Sequence, residues 1–63
     1  MEPYQERVVY ERANLAERIE KLKAFIAGDI FTSLSCEEQN RLVKQNIFMG
    51  LYLEVLDERI AAF

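Results

Sequence analysis

Apolar residues return at helical spacing through the first part of the chain. Val8, Leu15 and Leu22 repeat every seven residues, Ile19 and Ile26 fill adjacent positions, and no Gly or Pro occurs between Tyr4 and Ala27. Side chains that recur at three, four and seven residues share one face of a helix, whereas a strand would alternate. The pattern predicts a helix over about residues 4–27. Pro3 suits a first helical turn, where its missing N–H costs nothing. Glu2 and Glu6 put negative charge near the positive end of the helix dipole, and Glu17 with Lys21 forms a favourable i,i+4 pair. Gly28 is expected to end this helix as a C′ glycine. Asp29 is expected to cap a short turn from Ile30 to Leu34 that plugs one end of the fold.

A second helix is expected over about residues 36–62. Ser35-Cys36-Glu37-Glu38 has the S-x-x-E spacing of a capping box. Beyond it Leu42, Met49, Leu56 and Phe63 recur every seven residues, and Phe48, Leu51, Tyr52, Val55 and Ile60 broaden the apolar stripe. Gly50 interrupts the stripe, as a site of close approach for another helix or as a tolerated defect. A connector this short between two helices of similar length forces them antiparallel. The fold class expected is therefore all-α: a single domain over residues 1–63, an antiparallel two-helix hairpin.

Length turns this into an expectation of self-association. A chain of 63 residues hides only about 60% of its unfolded surface, and scaffolds of that size need disulfides, metal or oligomerisation. Cys36 is the only cysteine and histidine is absent, which leaves oligomerisation. The second helix is apolar over a wider arc than one partner helix covers, and an exposed apolar patch marks an interface. Phe48, Leu51, Tyr52, Val55 and Phe63 are the expected interface of a homo-oligomer, a dimer or higher. Phe31, Phe48, Tyr52 and Phe63 stand at core or interface spacing and read as packing residues.

Charge and hydropathy narrow the partners. A net charge of −3 argues against duplex nucleic acid, which needs a dense basic face. The run from Ile47 to Leu56 is broken by Gly50 and Glu54 and falls short of the roughly 20 apolar residues that span a bilayer, so no membrane partner is expected. A lone thiol fits a reducing cytoplasm, and no signal-peptide pattern follows Met1.

Catalysis is not expected. Cys36, Ser33 and Ser35 have no histidine to activate them, Ser35 reads as a helix cap, and Cys36 reads as an incidental or buried thiol. No metal ligand set, Gly-rich phosphate loop or cofactor motif is present. One face of the first helix carries other chemistry. Tyr4, Arg7, Glu11, Asn14, Arg18, Lys21 and Phe25 step by three and four beside the apolar stripe, with Tyr10 nearby. Aromatic rings stack on bases, Arg and Lys hold phosphates, and an amide or carboxylate reads a base edge or ribose. The same residues also describe an ordinary solvated face with an Arg7–Glu11 pair. They become a site only if self-association gathers copies of the face, or another protomer's Arg41 and Lys44, around a shared pocket.

The run Pro3-Tyr4-Gln5-Glu6-Arg7-Val8-Val9, followed by Leu15, Ile19, Lys21-Leu22 and Phe25-Ile26, resembles small proteins of tailed phages and prophages. The second half, with Leu34-Ser35, Glu38-Gln39, Met49, Tyr52 and Leu56-Asp57-Glu58-Arg59-Ile60, is similar to the same family. Helical hairpins of this size also resemble the hairpin domain of phage anti-defence sponges. Those proteins oligomerise, often as hexamers, and sequester cyclic nucleotide signals made by CBASS or Thoeris immunity. The resemblance implies a homo-oligomer, up to a hexamer, in the cytoplasm of a bacterial host. It would bind a cyclic oligonucleotide or related signal without cleaving it, with Tyr4 stacking, Arg7, Arg18 and Lys21 on phosphate, and Glu11 or Asn14 on base or ribose. The alternative is a protein–protein module that uses the surplus apolar face of the second helix to inhibit or adapt a host protein, in the manner of an anti-CRISPR or a regulator. A third is a virion or assembly accessory protein.

Overall fold

A computed structural model describes all 63 residues and contains three helices and no strand: α1 (Pro3–Ile26), α2 (Asp29–Thr32) and α3 (Cys36–Ala61). Two long helices lie side by side in a rod of 46 × 14 × 13 Å. Pro3 occupies the first turn of α1, and the Glu2 backbone N–H donates to Gln5 Oε1 at 2.8 Å. At the start of α3, Ser35 Oγ accepts from the Glu38 N–H at 3.2 Å. Only half of the expected capping box forms, because the Glu38 carboxylate accepts instead from Arg41 Nε at 2.7 Å.

The link between α1 and α3 differs from expectation at Gly28. Its backbone is extended, at φ −96°, and not left-handed as a C′ glycine would be. Ala27 and Gly28 close α1 with bonds back to Lys23 and Phe25, and Gly28 then sits at the N-cap of α2. Asp29 is the first residue of α2, not its cap. Phe31 and Leu34 are half-buried, while Ile30 is exposed, so only part of the expected apolar plug forms. Gln39, on the first turn of α3, holds this segment by donating from Nε2 to the carbonyls of Phe31 at 2.9 Å and Leu34 at 3.2 Å.

The core is thin. Val8, Leu15, Ile19 and Leu56 are the only buried residues, and Met49, Leu53 and Ile60 pack against them. Phe63, expected on the seven-residue repeat, lies off the core because α3 ends at Ala61, while Leu53 and Ile60, themselves seven residues apart, interleave with Met49 and Leu56 at spacings of four and three. The Phe63 ring instead meets Tyr4 edge-on, with centroids 6.0 Å apart and planes at 79°. Arg12 Nε donates to Asp57 Oδ1 at 2.8 Å across the helices. This contact raises the Arg12 pKa above its ordinary value, through the hydrogen bond first and charge attraction second. Asn46 lies on the core stripe of α3, and its Oδ1 is buried without a partner. A single polar residue on such a stripe fixes register at a cost in stability.

Nothing lies within 4 Å of where a Cβ on Gly50 would stand. Within one chain this glycine is a helix defect with open space beside it. Gly50→Ala is expected to stabilise the chain by about 0.5–1 kcal/mol, read as a higher midpoint in thermal unfolding. A lower midpoint at concentrations where copies associate would show another backbone approaching Gly50.

Candidate functional site

Two open grooves, each of about 420 Å³, lie on one side of the helix pair. Tyr10, Glu11, Asn14, Leu15, Arg18 and Tyr52 line the first. Helical spacing explains the α1 contribution, since residues 11, 14 and 18 stand one above the other beside the buried Leu15. Tyr52 closes the groove from α3. The second groove, lined by Arg41, Lys44, Gln45, Phe48, Met49 and Tyr52, runs along α3. Tyr52 is common to both and joins them.

Of the ligand candidates, Glu11, Asn14 and Arg18 come together in the first groove. Tyr4, Arg7 and Lys21 do not line it. Tyr4 is engaged with Phe63, and Lys21 pairs with Glu17 at 3.2 Å on an exposed surface. Arg7 lies on the same α1 face, one turn before Glu11. Two residues join the site that periodicity along α1 did not assign to it. Tyr10 stood off the line of steps, and Tyr52 read as an interface residue. The signal for Tyr52 was its place on α3 opposite the α1 face, which needs the pairing of the two helices.

The charges sort by side. Four of the eight Lys and Arg residues make ion pairs: Arg12 with Asp57, Lys21 with Glu17, Lys23 with Glu20, and Arg41 with Glu38. Arg7, Arg18, Lys44 and Arg59 make none, and the expected Arg7–Glu11 pair does not form. Arg18 and Lys44 line the two grooves. Arg7 shares the α1 face of Arg18, and Arg59 follows Tyr52 by two helical turns. All four unpaired cations thus flank the grooved side. Two tyrosines and an amide stand among them, with Tyr10 72% and Tyr52 45% exposed. That equipment can stack a base, reach a base edge and hold phosphate oxygens.

The interface candidates Phe48, Leu51, Tyr52, Val55 and Phe63 are all exposed in the single chain. Cys36 is exposed and free. No group of three or more His, Cys, Asp or Glu stands where it could hold a metal ion. No helix is long and apolar enough to cross a membrane.

Fold and surface together define a small all-helical protein with an open, cation-flanked groove. The chain belongs to the Sequestin family, whose model matches residues 2–62. It is 40% identical over 60 residues to an uncharacterised 7.5 kDa protein encoded in the denB-rIIB intergenic region of Enterobacteria phage T4, an alignment covering 95% of this chain and 94% of the phage protein. No solved structure matches the chain.

Proposed function

We propose that this protein is a phage counter-defence factor that binds a cyclic oligonucleotide or related nucleotide immune signal and holds it without cleaving it. The observation that carries this function is the gathering of the unpaired cations with Tyr10, Asn14 and Tyr52 on one side of the molecule. The family name denotes sequestration, and the phage T4 relative places such proteins in phages.

The groove is too open to do this alone. Ligand sites bury about 70–90% of a small ligand, and a trough along two helices covers one side of it. The working form is therefore a homo-oligomer of antiparallel hairpins, in which a neighbouring copy supplies the missing wall. The apolar residues Phe48, Leu51, Tyr52, Val55 and Phe63 provide the contact, and the site of action is the host cytoplasm, where such signals are made. The exposed stripe on α3 favours a second reading, a protein–protein module that docks a host protein on that surface.

Native mass spectrometry separates the two. The purified protein, alone and with a panel of cyclic di- and trinucleotides and cyclic ADP-ribose isomers, is expected to give one oligomer that gains ligand mass in a simple ratio to subunits. An oligomer that gains no mass across the panel moves the assignment to a host protein.

A further inference from the structure

We propose that Glu11 is the specificity-determining residue of the first groove. Its carboxylate takes hydrogen bonds from the nucleoside part of a ligand, from ribose hydroxyls or a base amine, and discriminates against phosphates that carry no nucleoside. This role rests on the nucleotide-binding function proposed above.

Glu11 is the odd charge of the grooved side. No other acidic residue lines either groove. The other carboxylate side chains that make no ion pair all lie exposed, whereas Glu11 is half-buried. Two guanidiniums without carboxylate partners share its face, Arg7 one turn before it and Arg18 two turns after it. Glu11 pairs with neither. A carboxylate only accepts hydrogen bonds, so a group that satisfies Glu11 in a filled groove must donate to it.

The same carboxylate opposes a bare anion. At 1.5 Å of rise per residue, Glu11 and Arg18 stand about 10 Å apart along α1. Across that distance Glu11 weakens the binding of a unit negative charge at Arg18 by about two-fold at the dielectric of water, and by about fifteen-fold at the effective dielectric of a protein surface. A groove that merely collected anions would be weakened by such a residue. A nucleotide reverses the sign. Its phosphate lies on Arg18 while its nucleoside reaches back to Glu11, where hydrogen bonds to a charged acceptor contribute about 10- to 150-fold in affinity. Carboxylates take ribose hydroxyls in dinucleotide sites and the cytosine amine in DNA recognition.

The groups along the groove follow the same order. Tyr10 stands next to Glu11, Asn14 comes one turn later and Arg18 one turn after that, with Tyr52 facing them from α3. A nucleoside phosphate has this polarity, with an aromatic ring and donors at one end and negative charge at the other. Tyr10 and Glu11 thus take the nucleoside, and Arg18 takes the phosphate.

Isothermal titration of the full chain with pyrophosphate and with ADP, which is pyrophosphate carrying adenosine, tests this role. The unsubstituted chain should bind ADP several-fold more tightly than pyrophosphate. Glu11→Ala should move the two in opposite directions, tightening pyrophosphate several-fold and weakening ADP several-fold. Glu54→Ala removes the same charge two residues beyond Tyr52, on the opposite face of α3. It should move both ligands in one direction and by less than about two-fold. Two analogues locate the donor: 2′,3′-dideoxy-ADP lacks the ribose hydroxyls, and IDP has a carbonyl in place of the base amine. The analogue without the donor should bind the unsubstituted chain more weakly than ADP does, and Glu11→Ala no more weakly. Tightening of pyrophosphate and ADP together in Glu11→Ala would overturn the role of Glu11 and leave the groove as an anion site. Equal binding of the two by the unsubstituted chain, or indifference to both analogues, would do the same. Binding of neither would also overturn the role of Glu11, while the cyclic nucleotide panel above decides the nucleotide-binding function separately.

Discussion

Leu56→Ala is expected to destabilise the protein by about 2–5 kcal/mol, which leaves little or no folded helix pair at physiological temperature. Leu56 is 1% exposed, the most deeply buried side chain, and it is the only fully buried residue that α3 contributes. Truncation removes its transfer energy and leaves a cavity against Val8, Leu15 and Ile19, in a core with no spare side chains to collapse into it. A domain of this length has roughly 3–9 kcal/mol of stability in all, so the loss is most of the total. The measurement is helical circular dichroism during thermal and urea unfolding. Leu51→Ala, at a residue 53% exposed in one chain, gives the comparison. In dilute solution it should change stability by less than about 0.5 kcal/mol, and any larger cost should grow with protein concentration, as expected for a residue buried between copies.

Arg18→Ala is expected to weaken nucleotide binding by about 1.5–3 kcal/mol, roughly 10- to 150-fold in Kd, with the fold unchanged. Arg18 lines the first groove and has no carboxylate partner to release, so its guanidinium is free to take phosphate. Its stem lies beside Leu15 but buries little, so stability should hardly move. Lys21→Ala should change binding little, because Lys21 lies outside the groove and already pairs with Glu17. Isothermal titration at two ionic strengths reads both variants. Arg18→Ala should also reduce the salt dependence of binding, since one ionic contact is lost. Unchanged affinity in Arg18→Ala would remove this groove from the ligand site.

The long elements were legible because each helix announces itself in its own sequence. Pro3, the heptad of Val8, Leu15 and Leu22, and Ser35 as a cap bound α1 and α3 to within a residue or two of where they lie. The finer features depended on pairing. Leu53 joins the core between Met49 and Leu56 at spacings of four and three, and Phe63 leaves it because α3 ends two residues earlier. The Arg12–Asp57 contact joins residues 45 apart in sequence, and no local spacing encodes it. Periodicity along α1 put Glu11, Asn14 and Arg18 on one face, and they line one groove, since one helix decides which of its own residues share a face. It could not show that Tyr52 would close that groove from the opposite helix, nor that Tyr4 would be taken up by Phe63. Gly28 misled for a different reason. Glycine after a helix usually marks a left-handed turn, but here α2 begins at once and the chain stays extended at that residue.

Binding without cleavage has a simple test in a depletion-and-recovery assay. A cyclic ADP-ribose isomer or a cyclic oligonucleotide is mixed with excess protein, free ligand is measured by chromatography after ultrafiltration, and the retained fraction is heated to denature the protein and measured again. Free ligand is expected to fall in proportion to added subunits and to return chemically intact on heating. Ligand that stays free throughout, or that returns as a hydrolysed product, would contradict binding without cleavage.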